Sequence, residues 1–155
     1  MGEYLVAAEL CRRGLIATTF TGNVPHYDII ASNEEGKHVS VQVKASTGVS
    51  WQFSDIRRFC EIAFDGERQE VGPLVKCPIR RLVVVFVAID DEGNDSFYIL
   101  TWRQLSGLVA NHQKTYLAKY NGVCPKKPDS LHCAILEKDL KPYKDKWTTV
   151  LKNLV

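Results

Sequence analysis

The stretch Pro25–Lys44, PHYDIIASNEEGKHVSVQVK, decides how the rest of the chain is read. Tyr27–Ser32 is rich in β-branched and aromatic residues, Asn33–Lys37 holds turn formers and charges, and His38–Lys44 alternates as a strand does. The pattern predicts two strands joined by a tight loop. With the loop centred near Glu35, Asp28 falls opposite Gln42. Side chains repeat with period two along a strand, so Asp28, Gln42 and Lys44 are expected on one face. An acid, an amide and a lysine then share a small surface, and His26, two residues before Asp28, is a further candidate for it.

Working outward, GEYLVAAELCRR (Gly2–Arg13) contains strong helix formers and no internal proline or glycine, and Gly14 stands where a helix stops. At 100° per residue Glu3 falls on the side of Val6, Ala7 and Leu10, whereas Glu9, Arg12 and Arg13 turn toward solvent. A carboxylate on a core-facing stripe needs a partner or a purpose, because burying an unpaired charge is costly. The favourable helix N-terminus is the ordinary purpose at this position. LIATTF (Leu15–Phe20) then reads as a first strand and Thr21-Gly22-Asn23 as a turn.

On the other side of the hairpin, the residues from Ser54 to Phe64 are expected as a short helix and Asp65–Pro78, with two glycines and two prolines, as an irregular loop. Arg81–Ile89 (RLVVVFVAI) has no polar alternation and reads as a central strand covered on both faces. The acidic run Asp90–Asp95 is expected to be a hairpin turn into Ser96–Thr101, and Trp102–Lys119 a helix. Asn121–Ser130 (NGVCPKKPDS) is too rich in proline for regular structure and carries Lys126 and Lys127 outward. At the end of the chain Trp147, Val150, Leu151 and Leu154 recur at helical spacing.

With 155 residues and 45% hydrophobic content, one packed domain over 1–155 is expected. A formal net charge of +2 neither demands nor opposes a nucleic-acid partner. Five cysteines without a CxxC pair fit reduced, buried thiols; Cys124, His132 and Cys133 are the grouping closest to zinc-ligand chemistry. No signal segment and no apolar run of bilayer length appear, which points to a soluble cytoplasmic protein without a membrane partner.

Glu3 on the first helix, Pro25 with Asp28 on the second strand, and Gln42-Val43-Lys44 on the third occupy the places of a known motif. In that order they resemble the PD-(D/E)XK nuclease superfamily, and the GEYLVAAELCRRG opening is similar to the first helix of small Holliday-junction-resolvase-like and related bacterial members. The resemblance covers about residues 2–46. It implies an α/β, restriction-endonuclease-like fold with a central mixed β-sheet flanked by helices and an αβββαβ-type core. It also implies a Mg²⁺- or Mn²⁺-dependent endonuclease acting on nucleic acid, DNA foremost. Two departures stand out: Pro25 and Asp28 are separated by two residues, and Gln42 replaces the usual acid. The second matches a QxK variant, in which the helix glutamate is expected to compensate.

The chemistry is consistent with those residue types. Phosphodiester hydrolysis requires a nucleophilic water and neutralisation of charge on the phosphate and leaving oxygen. Asp28 is the expected principal metal ligand, with Gln42 through its amide oxygen, Val43 through its backbone carbonyl and Glu3 through its carboxylate. Lys44 is expected to orient the water or help deprotonate it. Phosphate contacts are expected from Lys126, Lys127, Arg80 and Arg81, with His132 beside the Lys126-Lys127 loop. A homodimer would supply the second site needed to cut both strands of a duplex. Two other readings fit the same residues: an Asp28–Lys44 salt bridge on an exposed sheet face, and a catalytically inactive module that binds nucleic acid or protein.

Overall fold

The computed structural model describes all 155 residues, which gather into two compact units. The first comprises Met1–Trp51, Cys77–Trp102 and Leu136–Val155; the second comprises Gln52–Lys76 and Arg103–Ile135. No helix is long and apolar enough to cross a membrane.

The first unit opens with α1 (Gly2–Arg12), ended by Gly14 in the left-handed region at φ +80°. It continues with β1 (Ile16–Thr19), β2 (Ile29–Ser32) and β3 (His38–Ser46). Together with β7 (Val83–Ala88) and β8 (Ser96–Thr101) these strands form a five-stranded mixed sheet in the order β1-β2-β3-β7-β8. Only the central β3–β7 pair is parallel; the others are antiparallel. As its unbroken apolar run predicts, β7 is covered on both sides, and Leu82 through Val87 are all buried.

Alternation in β3 sorts its residues. Val39, Val41 and Val43 join Val6 and Leu10 of α1, Ile29 and Ala31 of β2 and alternate valines of β7 in one core. Gln42 and Lys44 belong to the opposite face, in register with Val84 and Phe86 of β7. Trp51 packs edge-on to Phe86 and Tyr98 there, with ring centroids 5.3 and 6.3 Å apart.

At its C-terminal end α1 carries an ion network. Glu9 is only 17% exposed, because Arg12 and Arg13 close on its carboxylate at 2.7 and 2.5 Å. The solvent-facing position expected for Glu9 is thus replaced by a clamp. Arg13 also lies 4.4 Å over the ring of Trp147, which with Val150 of the last helix, α4 (Thr148–Lys152), is buried in the same core. Leu151, expected to join them, is exposed.

The second unit departs most from expectation. In place of a helix from Ser54 there is one 3₁₀ turn, Ile56–Arg58, capped by the Asp55 carboxylate, which accepts from Arg57 N–H. A two-stranded ribbon follows, β5 (Cys60–Asp65) with β6 (Arg68–Leu74), where an irregular loop was expected. Its two-residue turn is Gly66-Glu67, with Gly66 at φ +59°, a glycine-first loop suited to a tight hairpin. The helix that an αβββαβ order requires between the third and fourth core strands is therefore absent, and a β-excursion stands in its place. Helix α2 (Trp102–Lys119) has the bounds its sequence predicts. The strand β4 (Ser50–Phe53) pairs with β9 (Cys133–Leu136), which α3 (Glu137–Leu140) follows directly.

Candidate active site

β2 begins at Ile29, so Asp28 stands just outside the regular ladder. Its N–H donates to Val41 O at 2.9 Å, and its Oδ2 accepts from Val43 N–H at 2.7 Å. Asp28 is thereby fastened to β3 on either side of Gln42. The carboxylate replaces a main-chain acceptor for an amide that β2 is too short to reach, as a buried backbone donor requires. It lies along the β3 main chain and does not stand off the sheet face as strict alternation predicts.

Glu3 sits in the first turn of α1, on the flank of the stripe formed by Gly2, Val6 and Leu10. Its side chain is 44% exposed and accepts from the Met1 ammonium at 3.2 Å. A hydrogen bond from its own backbone N–H, together with that ammonium, holds the carboxyl below the ordinary range despite partial burial. Glu3 is therefore anionic at neutral pH. The position of α1 is set by a close approach: Gly2 is buried against Ala45 and Val43 of β3.

Glu3 and Asp28 line one cavity of about 200 Å³ together with Tyr4, Thr19, Phe20 and Tyr27. Phe20 and Tyr27 meet edge to face at 5.6 Å and wall it. Gln42 and Lys44 lie outside that lining, on β3 beside Asp28. Gln42 is only 8% exposed and Lys44 is half-buried.

No group of three or more His, Cys, Asp or Glu side chains converges to hold a metal. That removes the zinc grouping of Cys124, His132 and Cys133. It also means that any cation at Asp28 would rest on two carboxylates, an amide and a carbonyl. Mg²⁺ tolerates such a set, since it commonly takes one or two carboxylates and completes its shell with water and phosphate oxygens. The residues present fit a hard divalent cation on that ground.

The remaining candidates are dispersed. His26 is exposed with φ +76°, so the chain bends there and the period-two relation that aligned it with Asp28 fails; it does not line the cavity. Arg80 and Arg81 are exposed immediately before β7, and Arg81 is left-handed at φ +55°. β7 enters the sheet alongside Val41, so these arginines lie toward the end where β3 begins. Lys126, Lys127 and His132 belong to the second unit and line a cavity of their own. The acidic run Asp90–Asp95 is turn chemistry: Asp90 and Asp95 carboxylates accept from the N–H groups of Glu92 and Asp90. The wall residues Tyr4, Phe20 and Tyr27 were not anticipated, because their meeting depends on the turn between β1 and β2 folding back.

No protein-family model matches this sequence, and no curated protein matches it. Among solved structures the fold is similar to that of a bacterial homing endonuclease, I-Ssp6803I, with a TM-score of 0.51 and 13% sequence identity. The likeness covers 97% of this chain and 88% of that one. At that identity it speaks for the fold alone.

Proposed function

We propose that this chain is a divalent-metal-dependent endonuclease of the PD-(D/E)XK, restriction-endonuclease-like type, in its QxK form, hydrolysing phosphodiester bonds of DNA. The observation that carries the reading is the cavity shared by Glu3 and Asp28, with Asp28 bound to β3 on both sides of Gln42. The fold likeness to a protein described as a homing endonuclease agrees with it.

In this reading Asp28, Glu3, the Gln42 amide oxygen and the Val43 carbonyl hold Mg²⁺ or Mn²⁺. When bound, the ion supplies charge neutralisation at the scissile phosphate. Asp28 is held by the Val43 N–H, so its oxygen is aimed before any ligand arrives. Glu3 supplies the second negative charge that Gln42 does not. Lys44 orients the attacking water and shares in moving its proton. Lys126, Lys127, Arg80, Arg81 and His132 contribute phosphate contacts, and a homodimer supplies two sites to a duplex.

Purified protein incubated with single-stranded, duplex and branched DNA and with RNA, in Mg²⁺, Mn²⁺ or EDTA, tests this. Cleavage of DNA is expected only with metal, and Asp28→Ala and Lys44→Ala should each lower it by roughly a hundredfold or more. No cleavage under any metal, or full cleavage by both variants, refutes it. The catalytically inactive binding module is favoured by the neutral Gln42. It predicts binding without cleavage, with Asp28→Ala binding as well as wild type or better through loss of a negative charge.

A further inference from the structure

The second unit holds a cavity of about 350 Å³ lined by none of the residues proposed to hold the metal or move the proton. Its polar lining is Lys126, Lys127, Ser130, His112, Gln113 and His132, with Tyr116 as the aromatic and no acidic side chain. Cys124, Cys133 and Ala134 complete the lining as its small, weakly polar part. Two ammonium groups and a hydroxyl, unopposed by a carboxylate, suit a phosphate. A half-exposed phenol ring in the lining suits a flat heteroaromatic ring. The volume lies at the lower end of the range for small-molecule pockets, which admits one nucleotide and not a helix or a strand.

The cavity is also built to keep its shape. Pro125 and Pro128 brace the lysine pair, and Ser130 N–H closes back on Lys127 O at 2.9 Å. From beneath, Gln69 Nε2 donates to Pro128 O and Ser130 O at 2.7 and 2.8 Å, while its Oε1 accepts from Gln113 at 3.0 Å. Gln69 is only 3% exposed, so these bonds are shielded from water. The Cys133 thiol and His112 Nδ1 are 3.5 Å apart. With the thiol donating, the ring proton resides on Nε2, leaving that nitrogen a donor for a base or phosphate edge.

We infer that this cavity is a binding site for a single nucleotide, its phosphate on Lys126, Lys127 and Ser130 and its base against Tyr116. The nucleotide comes either from a strand, as an unpaired residue turned out of the stack, or free from solution. The strand source rests on the nucleic-acid reading above; the site itself does not. Extruding a base costs a few kcal/mol unless it is already unpaired, so unpaired positions are the expected strand ligand.

The test titrates full-length protein in EDTA with each deoxynucleoside monophosphate and with inorganic phosphate, followed by amide NMR shifts and calorimetry. Saturable shifts at 112–116 and 124–134 are expected, with phosphate alone about tenfold weaker. Tyr116→Ala and the double variant Lys126→Ala/Lys127→Ala, all at exposed positions, should weaken nucleotide binding about tenfold. Asp28→Ala should leave it unchanged, so this site and the nuclease site fail separately. A duplex with one unpaired nucleotide that displaces the monophosphate identifies the strand source; displacement by no oligonucleotide identifies the free one. Absence of shifts, phosphate binding as tight as nucleotide, or variants binding like wild type overturns the inference.

Discussion

Gly2→Ala is the sharpest probe of how Glu3 is placed. A Cβ on Gly2 would lie 2.5 Å from the Ala45 Cβ and 3.4 Å from Val43 Cγ1. Relaxed carbon contacts are about 3.5–4.0 Å, so α1 or β3 must move by roughly an ångström. Overpacking of this kind costs about 1–3 kcal/mol. Alanine is the better helix former by up to about 1 kcal/mol, which offsets part of that. The net expectation is about 1–2 kcal/mol of destabilisation, or a Tm lower by about 2–8 °C in a chain of this size. Ala45→Gly removes the opposing methyl, so the double variant should regain most of the loss, and a coupling of about 1–3 kcal/mol should appear in the cycle. Thermal unfolding of the four proteins measures stability, and metal-dependent cleavage should fall and return in parallel, because Glu3 is the next residue. A coupling below about 0.3 kcal/mol, within ordinary additivity, would refute the close approach that places α1.

Gln69→Leu should destabilise the second unit by about 2–4 kcal/mol, since the Pro128 and Ser130 carbonyls and the Gln113 amide lose their buried partner; hydrogen exchange at 121–131 should rise, and unchanged protection there would contradict the brace. The Tyr98 hydroxyl, hydrogen-bonded to Glu137, is pushed up to about 12 by burial and by that carboxylate. A raised pKa stabilises the fold fully below the ordinary value near 10 and loses that contribution as pH rises toward 12, so wild type should lose about 1–3 kcal/mol over this window that Tyr98→Phe does not. Equal alkaline profiles for the two proteins in denaturant titrations would count against it.

What was legible followed from burial patterns within short stretches. RLVVVFVAI shows no alternation because β7 is covered on both faces, and that property is visible in nine consecutive residues. The turns at Asn33–Lys37 and Asp90–Asp95 were legible because Asn33, Asp90 and Asp95 side chains hold their own loops. The β5–β6 ribbon was hidden by Gly66, Gly72 and Pro73. The first makes the turn and the second packs closely on Glu61, so breakers of regular structure here serve a hairpin. The role of Gln69 could not be read locally, because its partners lie at 113, 128 and 130.

The candidate site divides along the same line. Alternation alone puts Gln42 on the face away from α1, and a strand central to a sheet makes that amide buried. That Glu3 and Asp28 line one cavity is a tertiary fact, and it changes the weight given to the missing acid. A carboxylate at 42 would stand beside Asp28 and raise the cost of holding two like charges there before any cation bound. A neutral amide carries no such repulsion, and Glu3 brings the second charge from a different element, across the cavity it shares with Asp28. In the proposed nuclease, the charge that an acid at 42 would add to β3 is therefore divided between a strand and a helix. For the same reason the placement of α1, fixed by Gly2 against Ala45, governs the site as directly as the strand that carries Gln42.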